Sequence, residues 1–225
     1  MLYLYALLSR EPREYPGIGI RGESLCVLPS GNLFAVVSEM TGVPPLQEWS
    51  IRGHERTVRR LAESVEAILP ARFGSVMPDE HALVKLVESR EAELRQALAL
   101  VEGREQMTLR VYGEGHPARK TAVEEVEALG PGARYLARKM RASEREQVIA
   151  ELEAVRPELA PFVRAERIQR HSTPPLLASV YHLIERGQST RYIAALEGGA
   201  RGDPPVRFTA SGPWPPYAFA RWEWL

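Results

Sequence analysis

The groups in this 225-residue chain with the chemistry for acid–base, nucleophilic or metal-centred work are five histidines, one cysteine and several carboxylate pairs. His54-Glu55 begins like the helix of a zinc protease, where a second histidine four residues on completes the metal grip. Position 58 is Val, so that grip lacks its second half, and a capping or surface imidazole is the simpler reading. His182 lies in an apolar run and reads as a packed or edge-facing residue. Cys26 is the sole thiol, which excludes an intramolecular disulfide and any zinc or iron–sulfur site built from several thiolates. Between Leu25 and Val27 it reads as a small buried hydrophobe in a reducing compartment. No G-x-S-x-G elbow, P-loop or G-x-G-x-x-G is present. Carboxylate pairs such as Glu124-Glu125 fall on charged helical faces. The residues point to no catalytic, metal or cofactor-binding site, and to a protein that is not an enzyme.

Charge and hydropathy narrow the partners. The 29 basic residues balance 29 acidic ones, which argues against a partner held by its phosphates. No apolar run approaches the roughly 20 residues of a membrane span, and the opening Met1-Leu2-Tyr3-Leu4-Tyr5 has no basic stretch of the kind that starts a secretory signal. A soluble, cytoplasmic protein is expected.

Two stretches have the composition of contact surfaces. The first is Leu69-Pro70-Ala71-Arg72-Phe73-Gly74-Ser75-Val76-Met77. Pro70 cannot continue a helix, so the chain must extend there. Read as a strand, the segment turns Phe73 into the core and carries Arg72 to the opposite face, and Gly74 marks a bulge or a close backbone approach. The second is Gly212-Pro213-Trp214-Pro215-Pro216-Tyr217-Ala218-Phe219-Ala220, followed by Arg221-Trp222-Glu223-Trp224-Leu225. Prolines stiffen this segment, so its aromatics lose little entropy on docking. Trp214 and Tyr217 are expected to fold back over the protein's own sheet, and Trp222 and Trp224 to be free for a partner or simply frayed.

The elements that must carry these stretches follow from hydrophobic period. Residues 2–8 read as a strand covered on both faces. Residues 24–28 and 33–40 flank the turn Pro29-Ser30-Gly31-Asn32 as a hairpin. Val58, Leu61, Val65 and Ile68 give residues 46–69 the stripe of an amphipathic helix. A second helix opens at Pro78-Asp79 and runs to Gly103. Residues 104–113 alternate as a strand. Helical pieces at 121–129 and from about 133 follow, then strands at 166–170 and 176–184, a helix at 189–196 and a strand at 206–211. From Arg104 onward the order is that of a ferredoxin-like βαββαβ domain. The fold expected is therefore α+β in two domains, a mixed α+β unit over residues 1–103 and a ferredoxin-like domain over 104–225.

Taken together in order along the chain, several motifs resemble the gas vesicle accessory proteins of the GvpF/GvpL family. They are Tyr3-Leu4-Tyr5, His54-Glu55, Leu69-Pro70-Ala71-Arg72-Phe73-Gly74-Ser75-Val76, Gly132-Ala133-Arg134-Tyr135-Leu136, Val180-Tyr181 and Gly212-Pro213-Trp214-Pro215-Pro216-Tyr217-Ala218-Phe219. The family's Pro-Val-Arg-Phe-Gly form has Ala71 in the Val position here, and the longer helical tail of some members is missing from this sequence. The resemblance implies a non-enzymatic protein, associated with gas vesicles in the cytoplasm, that helps assemble their wall. Its implied partners are the small hydrophobic shell protein and other accessory proteins. A cleft between the two domains, rimmed by Arg72, Phe73 and the end segment, is the expected contact surface. The alternative is a ferredoxin-like module binding a small molecule or RNA, although the aromatic-plus-basic strand signature of RNA readers is missing.

Overall fold

In the computed structural model, residues 1–12, 15–113, 152–171, 173–200 and 206–220 are described. The chain is a mixed α+β protein with two antiparallel sheets and five helices among those residues. Its contacts group it into two compact units, Met1–Gln106 with Pro213–Leu225, and Met107–Gly212.

In the first unit, β1 (Leu2–Leu8) is central and β2 (Cys26–Ser30) and β3 (Leu33–Glu39) form the hairpin to one side. On the other side lie β4 (Ile68–Pro70) and β5 (Val76–Met77), both antiparallel to β1. The apolar run of β1 is buried from Tyr3 to Leu8, as a strand covered on both faces requires. Gly31 takes φ 62° in the hairpin turn, a conformation glycine adopts without strain. Cys26 is exposed, because β2 is the sheet's outer strand and pairs only with β3. That corrects the buried reading drawn from its apolar neighbours.

Helix α1 (Glu48–Ser64) ends well before the proline. The periodic stripe ran on through Ile68, yet Ile68 and Leu69 pair with Leu8 and Leu7 of β1. Strand pairing on a buried sheet thus outweighs the local helical period. Asp79 caps α2 (Glu80–Ser89), its side chain accepting the Ala82 N–H at 2.8 Å. A break at Arg90 then separates α2 from α3 (Glu91–Val101), where one continuous helix was expected. The core gathers Tyr3, Tyr5, Leu25, Val36, Val58, Leu61 and Ile68.

The second unit holds a four-stranded sheet in the order β7-β8-β6-β9, formed by β6 (Arg104–Gly113), β7 (Val163–Arg170), β8 (Leu176–Glu185) and β9 (Val206–Trp214). The short helix α4 (Arg156–Leu159) carries Pro157 in its first turn, and α5 (Ser189–Gly199) follows β8. Met107, Leu109, Val111, Val155, Val180 and Tyr192 are among its core residues. The helical pieces expected between 121 and 150 lie outside the described residues.

Candidate functional site

The stretch after Pro70 is a turn rather than a strand. Residues 71–75 leave β4, reverse at Phe73 and Gly74, and re-enter the sheet as β5. Gly74 sits at φ 89°, a region a side chain enters only under strain. The reversal corrects the expected placement of Phe73. Its ring does not plug the core but stands half-buried at the turn. Arg72, beside it, is exposed.

Hydrogen bonds tie this turn to β1 along its length. The Ala71 N–H donates to the Tyr5 carbonyl at 2.8 Å, and the Leu4 N–H donates to the Ser75 carbonyl at 2.9 Å. The Gly74 N–H donates to the Tyr3 hydroxyl at 3.0 Å. His54 of α1 closes the arrangement, with its Nε2 3.0 Å from the Ala71 carbonyl and its Nδ1 2.9 Å from the Tyr3 hydroxyl. A carbonyl only accepts, so Nε2 carries the proton and Nδ1 receives the Tyr3 O–H. Both imidazole nitrogens are therefore used, and neither is left for a metal or a substrate. Burial pushes the His54 pKa down to about 4, although the Ala71 carbonyl opposes the shift. Burial likewise raises Tyr3 to about 12. Both side chains stay neutral across the physiological range and act as a fixed brace.

The rings pack as closely as the polar atoms. Tyr5 stacks on His54 with centroids 5.7 Å apart, while Phe73 meets His54 and Tyr3 edge-on at 5.9 and 6.4 Å. On the far side of Tyr5, its hydroxyl donates to Glu23 at 2.7 Å and accepts the Ile20 N–H at 3.1 Å. Burial alone would raise the Glu23 pKa, but the Tyr5 hydroxyl, two backbone N–H groups and Ser38 together hold it below the usual carboxylate range. Tyr3 and Tyr5 were readable only as core positions. Their i, i+2 spacing, which puts both hydroxyls on one face of β1, was the signal for the brace.

The end segment folds back onto the first unit, as expected for Trp214 and Tyr217. Pro215, Pro216 and Phe219 are buried, and the Ala218 N–H donates to Gln106 at 2.8 Å. Tyr217 packs against the core cluster that holds Tyr3, Val58 and Leu61. The Arg59 guanidinium lies 5.1 Å over the Trp214 ring and pairs with Glu55 at 3.1 Å. These contacts explain why the tail groups with residues 1–106, where the sequence reading had assigned it to the unit beginning at Arg104. Helix α1 therefore serves both stretches, through His54 for the turn and through Val58 and Arg59 for the tail. Trp222 and Trp224 lie outside the described residues.

Exposed apolar side chains add a surface that sequence reading missed. Val43, Leu46, Trp49 and Ile51 lie at the start of α1 and in the loop before it, with Leu46 81% exposed. Every large apolar side chain exposed among the described residues belongs to the first unit. No group of histidine, cysteine and carboxylate side chains able to hold a metal occurs among the described residues. No helix among them is long and apolar enough to cross a membrane.

Comparison with known proteins extends over nearly the whole chain. The family described as gas vesicle synthesis protein GvpL/GvpF matches residues 1–221. Gas vesicle protein L of Streptomyces sp. (strain CB03234) is 26% identical over 251 aligned residues, covering 97% of this chain and 92% of that protein. Gas vesicle protein F of the same strain is 23% identical, with 92% of each covered. The crystal structure of GvpF from Anabaena sp. PCC7120 superimposes with a TM-score of 0.74 at 17% identity, covering 98% of this chain and 95% of that one. GvpF from Microcystis aeruginosa gives 0.73 at 16% identity, with 98% of both chains covered. At those identities the two structures establish the shared fold.

Proposed function

The chain belongs to the GvpL/GvpF family of gas vesicle synthesis proteins, which ties it to gas vesicle formation, and from that premise we propose that it is a non-enzymatic assembly factor that holds the hydrophobic shell protein before it joins the wall. It works in the cytoplasm, at the growing vesicle, alongside other accessory proteins.

The observation that carries this reading is that, among the described residues, every large exposed apolar side chain belongs to the first unit, four of them (Val43, Leu46, Trp49 and Ile51) at the start of α1 or just before it. A shell subunit that exposes apolar surface needs such a patch to shelter it, and contiguous exposed apolar groups are the mark of protein contact. The braced turn carrying Arg72 and Phe73, and the tail carrying Trp214 and Tyr217, hang on the same helix. A rigid scaffold lowers the ordering cost when a partner docks. The expected contact surface thus moves from a cleft between domains to the first unit alone. Trp222 and Trp224 remain proposed as further contacts for the shell protein.

For the second unit, the strand order β7-β8-β6-β9 with helices after the first and third strands supports a ferredoxin-like assignment. We assign that domain a scaffolding role.

The test is capture of purified shell protein by the immobilised chain. Replacing Leu46 and Trp49 together by Glu should reduce capture at least about tenfold, since placing charge in an apolar contact costs well over 1.4 kcal/mol. Undiminished capture by a variant that folds normally would refute the assignment of the patch.

A further inference from the structure

The second unit contains a cavity of about 250 Å³ that the assembly role leaves unused. Leu152, Val155, Leu159 and Val163 form its apolar walls. At one side it meets a line of hydrogen bonds. The Tyr192 hydroxyl lies 2.7 Å from His182 Nδ1, and His182 Nε2 lies 2.9 Å from Glu166 Oε2. A carboxylate accepts, so Nε2 carries a proton, and in the neutral imidazole Nδ1 then accepts the Tyr192 O–H. Tyr192 is fully buried and His182 nearly so.

The His182 hydrogen bond, opposed by burial and helped by Arg156, keeps the Glu166 carboxyl below its ordinary range and therefore ionised. Its other oxygen, Oε1, faces an Arg156 terminal nitrogen at 3.5 Å, too long for a strong hydrogen bond. Arg156 also lines the cavity; its side chain is partly exposed, but its Nε is covered, and among the described residues the Nε–H makes no hydrogen bond. Glu153 Oε1 stands 3.1 Å from that nitrogen, off the line of the N–H bond. A covered N–H that is ion-paired but not hydrogen-bonded leaves its hydrogen-bonding capacity unused, so it requires an explanation.

We propose that this cavity binds a small neutral amphiphile made of a short apolar body and one amide-type head group. The carbonyl of that head accepts the Arg156 Nε–H, and its N–H donates to Glu166 Oε1. A carboxylate head is disfavoured by the charges of Glu166 and Glu153. A bare hydrocarbon leaves the Arg156 N–H unpaired. A cavity of this size has room for a short alkyl chain beside the polar head. The site is independent of shell-protein capture, so either reading can fail while the other stands.

The experiment is a titration of the full chain, ¹³C-labelled at its Leu and Val methyl groups, with hexanamide. Shifts at Leu152, Val155, Leu159 and Val163 are expected, with saturation. Pentane, which keeps the tail and loses the head, and hexanoate, which carries a charge, should each bind at least about tenfold more weakly, as loss of a hydrogen bond to a charged group implies. Ala160→Trp, at the exposed rim, should block the effect without touching the core. The proposal is overturned if hexanamide shifts none of these methyls. Equal binding of pentane or hexanoate, or unimpaired binding to the folded Ala160→Trp variant, overturns it as well.

Discussion

Acid should loosen this protein through His54, and the size of the effect follows from the structure. The imidazole is 3% exposed, stacked on Tyr5 and hydrogen-bonded through both nitrogens in its neutral form. Protonation at Nδ1 would turn the acceptor of the Tyr3 hydroxyl into a donor and place a charge among aromatic rings. The folded pKa is therefore depressed to about 4 from an ordinary value of 6.5. Between those values the unfolded chain binds the proton and the folded chain does not, so stability falls as the pH falls. The contribution is complete above pH 6.5, declines as pH drops towards 4, and levels off below. At about 1.4 kcal/mol per unit, acidification from about pH 7.5 to about pH 4.5 should remove roughly 2.5 kcal/mol. The assay is urea unfolding of the wild type and of His54→Gln at the two pH values. Glutamine can offer one donor to Ala71 and one acceptor to Tyr3 but does not titrate. The variant should therefore lose about 2.5 kcal/mol less than the wild type over that interval, whatever the other carboxylates contribute to both. Equal acid sensitivity of the two proteins would refute the reasoning, as would an imidazole resonance of His54 titrating near its ordinary pKa.

Other substitutions test neighbouring parts of the account. Phe73→Ala should cost about 2 kcal/mol in thermal or urea unfolding, roughly half the penalty of a fully buried phenylalanine, because the ring is half-buried. Gly74→Ala should cost about 1 kcal/mol through its φ of 89° alone, since an added methyl meets no atom within 4 Å. Tyr192→Phe should destabilise by about 1–2 kcal/mol, leaving His182 Nδ1 without its donor, as read from the unfolding midpoint.

Most elements were legible because their hydrophobic period is local. The alternation of β6, the hairpin turn and the Asp79 cap each announce themselves within a few residues. The end of α1 was not legible. Its apolar stripe continues through Val65 and Ile68, and only the presence of β1 beside Ile68 and Leu69 ends it. The turn at Phe73 escaped for the same reason, because the hydrogen bonds that bend it come from Tyr3, Tyr5 and His54, far away in the sequence. His54 itself read as a capping or surface residue, since its value depends on partners 17 and 51 residues away. The fold-back of Trp214 and Tyr217 was legible from composition, whereas its seat on Arg59 was not. The exposed group around Leu46 and Trp49 gave no signal, because a short apolar run before a helix looks the same whether it packs inward or faces water.

On the proposed function, the first unit meets the shell protein and the second does not. The most direct measurement places a photo-crosslinking amino acid at Trp49, Arg72 or Tyr181 in turn and irradiates the chain with purified shell protein. Positions 49 and 72 should yield a crosslinked product and position 181, on the second sheet, should not. Crosslinking confined to position 181 would contradict the account.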